Sequence, residues 1–82
     1  MRLPRDVSGP ALAHALRAYG YAITRQTGSH LRLTTQERGE HHITIPRHAP
    51  LRLGTLAAIL VEVARHHAVS RDMVVARLFQ AE

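Results

Sequence analysis

His30-Leu31-Arg32-Leu33-Thr34-Thr35 alternates polar and apolar side chains. Successive side chains of a strand point to opposite faces, so Leu31 and Leu33 fall on one side and His30, Arg32 and Thr34 on the other. One packed face and one wet face mark an antiparallel sheet covered on a single side. Immediately upstream, Thr27-Gly28-Ser29 reads as a turn, and residues 21–26 form a second alternating run rich in strand formers. Downstream, the polar residues 36–40 read as a hairpin loop, and His41-His42-Ile43-Thr44-Ile45-Pro46 alternates again with Ile43 and Ile45 inward. Three short strands joined by tight turns predict a meander.

Helices flank it. Ser8 is a good N-cap, with Pro10 in the first turn where a missing N–H costs nothing. Leu12, Ala15, Leu16 and Tyr19 recur at i, i+3, i+4 and i+7, which predicts a helix over about residues 8–19, closed by Gly20. Residues 47–53 connect the sheet to a second amphipathic helix over about residues 54–67, with Leu56, Ile59, Leu60, Val63 and Ala64 on its buried side. Ser70 caps a third helix, about residues 70–80, carrying Val74, Leu78 and Phe79. The predicted fold is α+β: an α-β-β-β-α order with a three-stranded antiparallel sheet, helices on one face and a short extra C-terminal helix. That is the arrangement of double-stranded-RNA-binding domains. Residues 1–82 read as one domain, its core over about residues 7–67.

Composition narrows the function. A chain of 82 residues can bury about 60% of its unfolded surface, enough for one modest core. Cysteine is absent, which removes disulfides, thiolate metal sites and cysteine nucleophiles and suits a cytoplasmic protein. No apolar run approaches the roughly 20 residues of a membrane span, and Met1-Arg2-Leu3-Pro4-Arg5-Asp6 leads into no apolar block of the signal-peptide kind. Eleven basic residues, all arginine, oppose six acidic ones for a net charge of +5. Guanidinium groups bind phosphate bidentately and stack on bases, so the expected partner is polyanionic, either RNA or an acidic protein.

Strand parity places His30 on the open face, one residue past the Gly28-Ser29 turn. A solvent-accessible imidazole is suited to general acid–base work near neutral pH. RNA can be cleaved by attack of its own 2′-hydroxyl, a reaction needing proton transfer and charge stabilisation but no metal. The other six histidines carry no such expectation. His14 is expected to be solvated. His41 and His42 point to opposite faces, and His42 is expected to neighbour His30 across the hairpin. His48 lies where the chain leaves the sheet, and His66 and His67 end the second helix, at the negative pole of its dipole. No H-x₃-H or HExxH spacing occurs, so no metal site and no cofactor are expected. No Ser/His/Asp constellation, Walker pattern or GxGxxG is present. Tyr19, Tyr21 and Phe79 are expected in the core, which leaves no aromatic platform for bases. Phosphate contact and shape remain as the means of recognition.

The succession Ser8-Gly9, Gly20-Tyr21 and Arg25-Gln26-x-Gly28-Ser29-His30 resembles the HicA family of mRNA interferase toxins. So does Ile45-Pro46-x-His48 followed by Gly54-Thr55-Leu56-x-x-Ile59-Leu60. The resemblance covers about residues 7–64. It implies a double-stranded-RNA-binding-like fold, metal-independent cleavage of mRNA with His30 as the catalytic residue, and a HicB-type antitoxin that covers the open sheet face. Candidates for contacting RNA phosphate are Arg25, Ser29, Arg32, Arg47 and His48, with Arg32 resting on strand parity alone. Two departures stand out: arginine takes every place where the family commonly carries lysine, and the tail beyond Ala64 is longer than usual, with room for an extra contact or dimer surface. A non-catalytic RNA-binding module and a domain meeting an acidic protein are the competing readings of the same scaffold.

Overall fold

The computed structural model describes residues 3–79, and its first helix starts where a capping residue stands to start it. Ser8 is extended and its Oγ accepts the N–H of Ala11 at 3.0 Å. Helix α1 spans Gly9–Ala15 and then tightens into a 3₁₀ turn, Leu16–Tyr19. The single helix expected over residues 8–19 is thus two pieces, and Ala13 rather than Ala15 joins Leu12 and Leu16 among the buried residues. Gly20 closes the turn at φ 81°, a left-handed conformation that a side chain disfavours. This closure holds Tyr21 in the core, 1% exposed, just ahead of the strand it was expected to open.

Strands β1 (Ala22–Gln26), β2 (His30–Thr35) and β3 (His41–Pro46) form an antiparallel sheet in the order β1-β2-β3. The predicted parity of β2 and β3 holds. Leu31, Leu33, Ile43 and Ile45 are buried, while His30, Arg32, His42 and Thr44 are exposed. Thr35 also turns inward, and its buried hydroxyl donates to the carbonyl of Tyr19 at 2.8 Å, so no polar atom is stranded. β1 departs from simple alternation. A bulge between Ile23 and Arg25 leaves Thr24 without a partner in the register. All five residues of this edge strand are exposed, Ile23 at 45%.

Helix α2 (Leu53–His67) lays Leu56, Ile59, Leu60, Val63 and Ala64 into the core, as its spacing predicts. His67 continues the same stripe one turn beyond Val63 and is buried too. Ser70 caps α3 (Arg71–Phe79) by accepting the N–H of Met73 at 3.0 Å, and Val74 and Val75 complete the core. Phe79 is half-buried against it. Gln80, the last residue of the expected helix, lies outside the described residues. The helices pack on the face that carries Leu31, Leu33, Ile43 and Ile45, and among the described residues no helix covers the other face. No described helix is long and apolar enough to cross a membrane.

Candidate functional site

The turn between β1 and β2 is held from both sides. Thr27 donates its backbone N–H to the carbonyl of His30 at 3.0 Å, and its Oγ1 accepts the N–H of His30 at 3.1 Å. The backbone of His30 is therefore fixed at the first residue of the central strand. From the far edge, Pro46 stands opposite His30 in the β2–β3 register. The next residue, Arg47, donates its backbone N–H to the carbonyl of Ser29 at 2.9 Å, and its Nη1 reaches the carbonyl of Thr27 at 3.3 Å. Ser29 Oγ lies 2.9 Å from His30 Nδ1. Ser29, His30 and Arg47 thus converge with Thr27 at one end of the open face, and all four are exposed.

Arg25 and Arg32 continue this surface. The bulge in β1 brings Arg25 directly opposite Arg32, so two guanidinium groups share one cross-strand position on the open face. Like charges so paired repel each other, and neither arginine has a carboxylate partner among the described residues. An anion between them would relieve that repulsion. Arg32 is two residues from His30 on the same face, about 7 Å along the strand. His48 lies just beyond Arg47 and lines a cleft of about 480 Å³ with Pro46, Arg52 and Thr55.

His42 does not neighbour His30. The register sets His42 opposite Thr34, four residues further along β2, because Pro46 takes the place across from His30. It belongs instead to a polar row across the sheet. Thr24 Oγ1 lies 2.9 Å from Thr34 Oγ1, Thr34 Oγ1 lies 2.7 Å from His42 Nδ1, and His42 Nε2 donates to Glu40 at 2.7 Å. The carboxylate of this row is at the opposite end of the face from His30.

Three other histidines gather on the helix side. The rings of His41 and His66 stack at 4.3 Å, and His66 meets His67 edge-on at 4.9 Å. Tyr21 Oη lies 2.8 Å from His41 Nδ1 and 3.3 Å from His67 Nε2. His66 Nε2 is 3.0 and 3.1 Å from the carbonyls of Glu37 and Gly39, an arrangement that assigns its proton to Nε2. Burial, and secondly the neighbouring His66, push the pKa values of both His41 and His67 down. Burial and the carboxylates of Glu62 and Glu37 push Tyr21 up to about 12. His66 and His67 stand in the last turn of α2, as expected, and also pack against these rings. His67 was detectable in the sequence as a residue four beyond Val63, whereas His41 and Tyr21 join it only through the fold. Thr27 was likewise missed, and Gly9 entered only as part of the Ser8-Gly9 motif, without its contact. The hydroxyl of Thr27 in a turn was a usable signal, whereas nothing local marks the N–H of Gly9 bonding to the carbonyl of His48.

Among the described residues no cluster of three or more His, Asp or Glu is arranged to hold a metal ion. The family model for the HicA toxin of bacterial toxin–antitoxin systems matches residues 9–64, a segment holding His30, both arginines of the cross-strand pair and Arg47. No curated protein and no solved structure gives a significant match.

Proposed function

The chain belongs to the HicA toxin family, and from that premise we propose that it is a cytoplasmic endoribonuclease that cleaves mRNA at His30. The reading rests chiefly on the position of that imidazole: exposed, fixed at the start of the central strand, and flanked by arginines on a bare sheet face. RNA lies along the open face with phosphates held by Arg25 and Arg32, while Arg47, Ser29 and His48 border the reacting end. His30 takes the proton from a 2′-hydroxyl, whose oxygen attacks the adjacent phosphorus. The 5′-oxygen leaves, taking a proton from solvent, and the strand ends in a 2′,3′-cyclic phosphate. Guanidinium groups stabilise the charge that grows on the phosphoryl oxygens. The proposed step draws only on protein, RNA and water, and cleavage in the presence of EDTA is the measurement that checks it.

The same face is where an antitoxin would act. An acidic HicB-type protein laid over the arginines and His30 excludes RNA by occupying its site, with charge complementarity speeding the encounter.

The deciding experiment incubates purified wild-type protein and His30→Ala with mRNA in the presence of EDTA. The expected result is cleavage by the wild type and none by the variant, with identical circular dichroism, since an exposed side chain contributes little to stability. Cleavage at the parental rate by His30→Ala removes the assignment. RNA bound but left intact by the wild type supports the non-catalytic binding module instead. In cells, induced expression should arrest growth and degrade mRNA unless an adjacent gene for an acidic partner is co-expressed.

A further inference from the structure

A catalytic imidazole needs one nitrogen held and the other free. In many sites a carboxylate does the holding and so also favours the charged ring. None of the carboxylates among the described residues pairs with His30. What meets its Nδ1 is the hydroxyl of Ser29, at 2.9 Å. Neighbouring residues on a strand ordinarily diverge, yet here Ser29 still belongs to the turn, where its hydroxyl can reach the adjacent ring. Both residues are fixed on the backbone as well. The carbonyl of Ser29 accepts from Arg47, and the N–H and carbonyl of His30 are both bonded to Thr27.

We propose that Ser29 is a positioning residue that holds His30 by Nδ1 and leaves Nε2 as the nitrogen that gains and loses the proton. The proposal rests on the endoribonuclease reading and assigns Ser29 a task other than phosphate contact. Its chemistry follows from the hydroxyl's being uncharged and able to accept. In the neutral ring Nδ1–H donates to Ser29 Oγ, and Nε2 presents its lone pair to the 2′-hydroxyl. After proton transfer both nitrogens carry hydrogen, and Nδ1–H still donates to the same oxygen. The ring need not turn between the two states, so the geometry is kept through turnover. A carboxylate would hold the ring equally well but would favour its charged form over the neutral form that begins the reaction.

The test reads the ring directly, without RNA. Nitrogen-15 spectra of the full chain at about pH 8, where an ordinary imidazole is neutral, report which nitrogen of His30 carries hydrogen. The His30→Ala spectrum assigns the signals. Wild type should show the Nδ1–H form, and Ser29→Ala should revert toward the Nε2–H form that free histidine prefers. Ser29→Thr, which keeps the hydroxyl, should restore the wild-type pattern. In RNA cleavage Ser29→Ala should lose about ten- to a hundredfold in kcat, by analogy with removing the hydrogen-bond partner that orients a metal-bound imidazole, with KM changed less than about twofold.

The same tautomer in wild type and Ser29→Ala overturns the proposal. So does a loss confined to KM, which would make Ser29 a substrate contact. If the wild type cleaves no RNA, the endoribonuclease reading fails, while the nitrogen spectra still decide whether Ser29 sets the tautomer of His30.

Discussion

The backbone N–H of Gly9 donates to the carbonyl of His48 at 2.8 Å, fastening the start of α1 to the loop that leaves β3. The approach is close enough that a Cβ on Gly9 would collide with the carbonyl of Pro46. Pro46 stands opposite His30, and Arg47 is bonded to Ser29, so this contact ties the start of α1 to the end of the sheet that carries His30.

Gly9→Ala should therefore act on both stability and activity. The added methyl meets backbone, which can give way only by moving the β3 exit or the helix start. Overpacking of this kind costs about 1–3 kcal/mol, to be measured by denaturant unfolding. The RNA cleavage rate at a temperature where the variant remains folded should fall as well. Unchanged stability would mean that the loop yields freely and does not brace His30.

Arg25 and Arg32 should behave in the opposite way. Each repels the other across the strands, so Arg32→Gln should leave stability within about 0.5 kcal/mol of the parent. RNA binding should weaken, and the slope of log K against log salt should become shallower by about 0.7–0.9, because one phosphate fewer is neutralised. A parallel salt dependence in variant and parent would remove Arg32 from the RNA path.

Most of the fold was legible because alternation and helical spacing carry it directly. Leu31, Leu33, Ile43 and Ile45 encode which face is packed, and that parity alone put His30 and Arg32 on the bare side. The caps at Ser8, Gly20 and Ser70 were equally plain. What escaped depends on contacts between distant segments. The register that separates His42 from His30 is fixed by how β3 meets β2, and no single residue announces it. The bulge that brings Arg25 opposite Arg32 inserts an ordinary threonine. Strict alternation would have set Arg25 on the same side as Ile23, so the arginine pair exists because the pattern is broken there.

Helix α3 lies beyond the segment matched by the family model, yet it closes the core. Val74 is wholly buried, and Arg77 sits 4.5 Å over the ring of Tyr19. Val74→Ala should cost roughly 2–3 kcal/mol through lost burial and the cavity left behind. Arg77→Gln, which removes an exposed guanidinium from over the buried Tyr19 ring, should cost about 0.5–1 kcal/mol. Urea unfolding of the two variants tests this. A Val74→Ala protein as stable as the parent would show that the appended helix is docked loosely and can be removed without harm.

The histidine cluster sets how stability responds to pH. His41 and His67 have folded-state pKa values below the ordinary 6.5, chiefly through burial and then through His66. Between those lowered values and 6.5 the unfolded chain binds more protons than the folded one, so stability rises with pH across that window. Their contribution is complete above 6.5 and is lost as the pH falls through the folded-state values. Tyr21 acts with the opposite sign. Its pKa rises from 10.0 to about 12, so its contribution is complete below 10.0 and fades as the pH climbs toward 12. The groups facing the cluster are Glu62 on α2, Glu37 and Arg38 in the hairpin loop, and His42 on β3. Thermal unfolding should give a plateau between about pH 7 and 9.5 with a fall on either side. His67→Phe keeps an aromatic ring against Tyr19 but cannot take a proton, so the acid limb should become shallower while the alkaline limb remains. An acid limb equally steep in His67→Phe and wild type would move the acid sensitivity away from His67.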